Sequence, residues 1–182
     1  IMKKEMKILS CTGIVGYGFP EESFFAGVAQ KPDLIACDAG STDPGPYYLG
    51  SGIPFTNATA VKRDMTLMLK AACELNIPMV IGSCGGAGAD VHLAREVGIL
   101  KEIAKENNLS FKLAVISAEF DKDVLVQYLN AGRIEKLGPA PDITEEAIRS
   151  STHIVAQMGI EPIMEALDNG AQVVICGRCY DP

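Results

Sequence analysis

Ile35-Ala-Cys-Asp-Ala-Gly-Ser-Thr-Asp-Pro-Gly-Pro-Tyr-Tyr-Leu-Gly-Ser-Gly52 changes character near its start. Leu34 to Cys37 is an apolar run without polar alternation, which predicts a strand covered on both faces. A polar, glycine-rich loop follows to about Thr56. It carries two carboxylates (Asp38, Asp43), two hydroxyls (Ser41, Thr42) and two tyrosines (Tyr47, Tyr48). Structureless connections of this length are uncommon and tend to carry function.

Working outward, the same unit recurs. Toward the N-terminus, Ile8 to Cys11 reads as a strand ending in the turn Thr12 to Gly18. Pro20 in a first turn, with Glu21 and Glu22 behind it, starts a helix to about Gln30. Toward the C-terminus, Val61, Met65, Met68, Leu69, Ala72 and Leu75 recur at helical spacing. Lys62, Arg63, Asp64 and Lys70 lie off that stripe. Ile77 to Gly82, Phe111 to Ile116 and Val173 to Cys176 are three further strands. Leu93, Val97, Leu100 and Ala104 mark one helix, and Val124, Leu125, Tyr128 and Leu129 another, which Gly132 ends. Arg133 to Leu137 reads as a short extended piece and Gly138-Pro-Ala-Pro141 as a rigid turn. Asp142 and Glu145 have capping-box spacing for a short helix. Ser151 reads as the cap of a last helix carrying Ile154, Val155 and Met158, interrupted at Gly159, restarted at Pro162 and stopped at Asn169-Gly170. Strands alternating with helices imply parallel pairing through right-handed crossovers. The fold expected is a doubly wound, mainly parallel α/β sheet with helices on both faces, a Rossmann-like three-layer arrangement.

At 182 residues, 48% apolar and 21% charged, the chain fits one soluble α/β domain, 1–182. It stops in a loop just after an apolar strand, so the expectation is the N-terminal part of a longer protein. A net charge of −7 leaves no basic surplus for nucleic acid or an anionic membrane. No apolar run approaches the roughly 20 residues of a spanning helix, and the N-terminus has no signal-peptide core. Six cysteines without an export signal read as free thiols in a cytoplasmic protein.

In parallel α/β sheets the ligand crevice lies beyond the carboxyl ends of the strands. Here those ends carry Thr12 and Gly13; Asp38, Ser41, Thr42 and Asp43; Ser83 to Asp90 and His92; Ser117 and Glu119; Arg178 and Asp181. The opposite connections, such as Glu74-Leu-Asn-Ile77, are plain. Ser83-Cys-Gly-Gly-Ala-Gly88 opens a helix. It matches neither a dinucleotide fingerprint nor a Walker A loop. It reads either as a tight turn or as an anion site in which Ser83, Gly85, Gly86 and Gly88 face a phosphate or carboxylate. Asp38, Asp43 and Glu119 are the acid/base candidates. The same carboxylates suit a divalent cation or plain loop capping. Arg178 suits a bidentate anion clamp or an ion pair with a loop carboxylate. His92 falls on a first turn, and His153 reads as a structural mid-helix residue. Cys11, Cys37, Cys84 and Cys176 read as strand filler more than as a zinc set, since they fall on separate strands. A nucleophilic Cys84 at a helix N-terminus is a minor reading.

Asp38 to Gly52, Val61-Lys-Arg-Asp64, Gly82 to Asp90, Gly138 to Pro141, Ile154 to Gly159 and Gly177 to Pro182 together resemble the acyclic terpene utilisation AtuA-like family. The resemblance spans essentially the whole chain and is most specific in the long loop. It implies a place in the degradation of branched acyclic terpenoids as acyl-CoA thioesters, and it implies no set of catalytic residues. Cys84 and Cys179 depart from the expected pattern. The leading expectation is an enzyme or enzyme subunit of the lyase or hydratase type. It would act on a small carboxylate or acyl-CoA by hydration, elimination or isomerisation. Ser41, Thr42, Arg178 and the glycine turn would hold the anion, in a homo-oligomer. The alternatives are a non-catalytic ligand-binding module of a catabolic complex and a divalent-metal hydrolase.

Overall fold

The computed structural model describes residues 5–179. It contains five strands, β1 (Ile8–Leu9), β2 (Leu34–Asp38), β3 (Met79–Gly82), β4 (Leu113–Ile116) and β5 (Val173–Cys176). All pair in parallel in the order β1-β2-β3-β5-β4. The helices are α1 (Glu21–Ala29), α2 (Tyr47–Ser51), α3 (Ala58–Leu75), α4 (Asp90–Glu106), α5 (Lys122–Asn130), α6 (Glu145–Ser150) and α7 (Glu161–Asp168).

This strand order dictates the layers. Three connections move in one direction across the sheet, and the step from β4 back to β5 reverses. Right-handed crossovers then require the forward helices on one face and the return on the other. The packing agrees. Ile35, Cys37, Met79, Ile81, Val173 and Ile175 share a core with Phe24 of α1, Met65, Met68 and Leu69 of α3, and Leu93, Leu100 and Ile103 of α4. Val80, Val174 and Cys176 point the other way, against Ile163, Ala166 and Leu167 of α7. The doubly wound α/β reading therefore holds.

Coverage is uneven. Leu34 and Ala36 are only half-buried, and Ile8 is exposed. The expectation that β2 is sealed on both faces is met on one face alone, because α7 covers the β3–β5–β4 half. The apolar stripe of α3 supplies most of the first core. Met65, Met68 and Leu69 have no exposed surface, and each such side chain contributes about 1.5–3 kcal/mol of burial.

Several local expectations are corrected. Pro20 is the N-cap of α1 rather than its first residue. The long loop contains the short helix α2. Residues 133–137 form no strand. Thr144, not Asp142, caps α6, its hydroxyl accepting from the Ala147 N–H at 3.1 Å; Asp142 pairs with Lys136 instead. Residues 151–158 are not helical. Phe120 N–H donates to Ile154 O, Ala156 N–H to Ala118 O, and Met158 N–H to Arg178 O. The β-branched Thr152, Ile154 and Val155 favour this extended path, and its apolar spacing fits either reading.

Asp64 lies off the apolar stripe, yet it is fully buried. Its Oδ2 accepts from Gly16 N–H at 2.9 Å and Gly18 N–H at 3.0 Å. Its Oδ1 accepts from the Arg63 guanidinium at 2.8 Å. Three donors compensate a buried carboxylate that would otherwise be costly, and they fix the loop after β1 against α3. Asp64→Leu is expected to unpin that loop, destabilising the chain by about 3 kcal/mol in denaturant titration. A stability within 0.5 kcal/mol of the parent would remove this anchoring role.

Glu96 is the converse case. It is 1% exposed, its Oε1 accepts from Arg95 at 2.9 Å, and its Oε2 has no partner. Burial pushes its carboxyl up to about 7, with Arg95 opposing. The folded state thus holds this proton above the ordinary glutamate range. Stability from this group is full below about pH 4.5 and is lost as pH rises through 7, by on the order of 3 kcal/mol. Glu96→Gln is expected to flatten that slope in unfolding measured between pH 5 and 8; an unchanged slope would contradict it.

Candidate functional site

Four loops meet beyond the carboxyl ends of β2 to β5, and they meet backbone to backbone. A Cβ on Gly40 would lie 2.1 Å from Gly86 O. One on Gly88, at φ +74°, would lie 2.3 Å from Arg178 N. Only glycine permits both approaches. Ala39 N–H donates to Gly82 O, Ser41 N–H to Gly86 O and Phe55 N–H to Gly85 O. Ser83 N–H donates to Gly177 O and Cys84 N–H to Cys176 O. The loops after β2, β3 and β5 are therefore one hydrogen-bonded unit.

This contact redefines the glycine turn. Gly86 N–H donates to Ser83 O and Gly88 N–H to Cys84 O. Those two donors serve the turn itself, and it is the carbonyl of Gly86 that faces its neighbours. Ser83 is fully buried with φ 49°. Its hydroxyl donates to Cys179 O and accepts from Cys179 N–H. Ser83, Gly85, Gly86 and Gly88 thus serve the packing and hydrogen bonding of this junction.

Beside this junction lie two adjoining clefts of about 430 and 420 Å³ that share Ser41, Thr42 and Arg178. The first adds Gly45, Leu49, Val155 and Gln157. The second adds Gly13, Tyr17, Asp38 and Asp43. A smaller space of about 350 Å³ continues past Asp38 toward Cys37 and Cys179. The sequence expectation of a crevice at this edge, walled by the long loop, holds.

Arg178 is the central cation. It is 6% exposed, and one Nη donates to Gly86 O at 3.1 Å. Among the described residues no carboxylate forms an ion pair with it; Asp181 lies outside them. Asp38 stands at the end of β2, level with Gly82. Its Oδ1 accepts from Ala39 N–H at 2.8 Å and Gly40 N–H at 3.1 Å. Burial pushes its carboxyl above the usual range, while the Gly40 N–H, the Ser83 hydroxyl, the Ala39 N–H and the Arg178 charge hold it back. Asp43 borders the same cleft but is exposed, and its own N–H donates to Ser41 Oγ at 3.1 Å.

Glu119 lies apart from these two aspartates. Its Oε2 accepts from Asp90 N–H at 2.8 Å, and its Oε1 lies 2.6 Å from His153 Nδ1. Asp90 in turn accepts from the Ser117 hydroxyl at 2.5 Å. His153 was expected inside a helix. It stands instead on the extended segment 151–158, half-buried, as the partner of Glu119. The misassigned helix hid it. His92 has the structural part. It is fully buried, Nδ1 accepts from Ala89 N–H at 3.2 Å, and Nε2 lies 3.2 Å from Ile53 O, tying the far end of the long loop to α4. Burial lowers its pKa, in keeping with a neutral ring.

The cysteines are all free thiols. Cys11 N–H donates to Cys37 Sγ at 3.3 Å. The Cys11 side chain holds the Cys37 thiol down at about 6, and Cys11 is pushed up in return. Cys179 is likewise lowered by a hydrogen bond from Cys176. Cys84 is fully buried and burial pushes its thiol well up, which removes the nucleophile reading. No group of three or more His, Cys, Asp or Glu suited to a metal ion occurs among the described residues. Among the same residues no helix is long and apolar enough to cross a membrane.

No curated protein and no solved structure matches the chain. A family model described as "Acyclic terpene utilisation family protein AtuA" matches residues 57–182, more than half of its length. The match starts after the long loop and takes in α3 with Asp64, the glycine turn, Glu119, His153 and Arg178. On that match the chain belongs to the acyclic terpene utilisation family AtuA.

Proposed function

We propose that the crevice binds a small carboxylate or acyl thioester and performs acid/base chemistry on it, as a step in the use of acyclic terpenes. One observation carries this reading. Among the described residues Arg178 is a nearly buried guanidinium with a single backbone acceptor and no ion pair, and it lines both clefts. A buried cation without a counter-ion is costly. An anionic ligand oxygen relieves that cost, and the guanidinium fork suits a carboxylate. Ser41 and Thr42 stand on the same walls to donate hydroxyl hydrogen bonds.

Asp38 supplies the acid/base group. One oxygen is pinned by two backbone N–H groups, which fixes the orientation of a carboxyl that lines the cleft. Its raised pKa makes it a better proton acceptor than an ordinary aspartate. A carbon acid held by its carboxylate or thioester oxygen at Arg178 loses its α-proton to Asp38. The negative charge that develops moves onto the oxygen beside the guanidinium. Hydration, elimination and isomerisation all contain such a transfer. Asp43, exposed at the rim, serves the binding of the ligand more than the transfer.

The family name favours catabolism without distinguishing an enzyme from a non-catalytic ligand-binding subunit. Among the described residues no group of three or more His, Cys, Asp or Glu favours the divalent-metal hydrolase reading.

Arg178→Gln is expected to weaken calorimetric binding of isobutyrate at least ten-fold. Unchanged affinity would remove the anion site. Asp38→Asn is expected to lower deuterium exchange at the α-carbon of an isobutyryl thioester in D2O about 100-fold, and Asp43→Asn less than ten-fold. Exchange in the parent should rise with pH through the raised Asp38 pKa, as the carboxylate form develops. Binding without any exchange in the parent would favour the non-catalytic module.

A further inference from the structure

An apolar groove of about 400 Å³ adjoins the polar cleft. It runs between α5, α6 and the extended segment 151–158, on Leu125, Ile134, Ile143, Ile148 and Ile154. Leu49 and Val155 line both spaces, so the two share a wall. A polar space at Arg178 thus adjoins a hydrocarbon-lined one at Leu49. Its single imidazole, His153, lies on the groove wall.

The ring is oriented. Glu119 Oε1 lies 2.6 Å from Nδ1, and Glu119 is itself held by Asp90 N–H. A carboxylate on one nitrogen places the proton there and leaves a lone pair on the other. Nε2 has no hydrogen-bond partner among the described residues; a Cβ on Gly52 would come within 3.7 Å of it. The arrangement is that of a carboxylate-oriented base.

We propose that the groove takes the hydrocarbon chain of a carboxylate whose head sits at Arg178, and that His153 with Glu119 is a proton-accepting pair for a hydroxyl or water on that chain. The O–H proton passes to Nε2, the oxygen keeps the bonding electron pair, and Glu119 balances the imidazolium charge. The ligand class is then a hydroxylated medium-chain carboxylate. The proposal rests on the anion site at Arg178 argued above, and it adds the chain and the base.

The test uses the full chain with three probes: acetate, octanoate and 3-hydroxyoctanoate. Octanoate is expected to bind at least ten-fold more tightly than acetate, and Ile143→Asp, a change at a partly exposed position, to erase that advantage. The hydroxyl is expected to add a further three- to ten-fold, and His153→Ala is expected to erase that ratio between 3-hydroxyoctanoate and octanoate. Long-range ¹H–¹⁵N spectra should show His153 protonated at Nδ1 and its Nε2 shifting with 3-hydroxyoctanoate. Glu119→Gln should lose that tautomer bias. Equal affinity for acetate and octanoate, or a His153 protonated at Nε2, overturns the proposal and leaves the anion site standing. Absence of binding by all three probes overturns both.

Discussion

Gly86 O accepts from two directions, from the Ser41 N–H of the loop after β2 and from the Arg178 guanidinium after β5. This one carbonyl joins three strand-end loops. The approach is possible because Gly40 and Gly88 leave room where any side chain would collide with backbone. Everything else in the crevice depends on that junction. It sets the long loop as a wall, and it holds a cation between two clefts. Among the described residues it leaves the Arg178 guanidinium with one backbone acceptor, Gly86 O, and no ion pair. The glycines act through packing, and the positive charge on the clefts comes from Arg178.

The electrostatic pattern separates the buried carboxylates from the groups that border the cavities. Asp64 is fully buried and answered by three donors, so it anchors. Glu96 is fully buried and half answered, so its carboxyl rises to about 7 at a cost to stability. Asp38 and His153 fall between. Each is half-buried, held by a fixed partner, and lines a cavity.

The fold was legible because its signals are local. Val173 to Cys176 is a strand with the expected limits, and the α3 stripe buries the residues its spacing names except Leu75, which is half-buried. The crevice was legible too, because every strand end carried polar and glycine-rich sequence. What failed was local ambiguity settled by distant partners. Ile154, Val155 and Met158 fit a helix, but the loops after β4 and β5 offered them a backbone ladder. That error concealed His153. Asp64 could not be recognised as buried from its helix position, because its donors Gly16 and Gly18 lie far away in the chain. Asp142 had capping-box spacing, yet Thr144 won the cap and Lys136 took the aspartate. The glycine turn shows the same limit: its composition announced a tight approach without saying whether ligand or backbone would approach.

The functional reading we propose turns on Arg178 as an anion receptor in the crevice. The direct measurement is the ¹⁵N resonance of its guanidinium, assigned by loss in Arg178→Gln, during titration of the full chain with isobutyrate. The account predicts a saturable shift of that resonance, with the buried Arg178 responding while the exposed Arg149 stays fixed. A resonance that remains unmoved while isobutyrate binds, or a shift shared equally by all arginines, would contradict it.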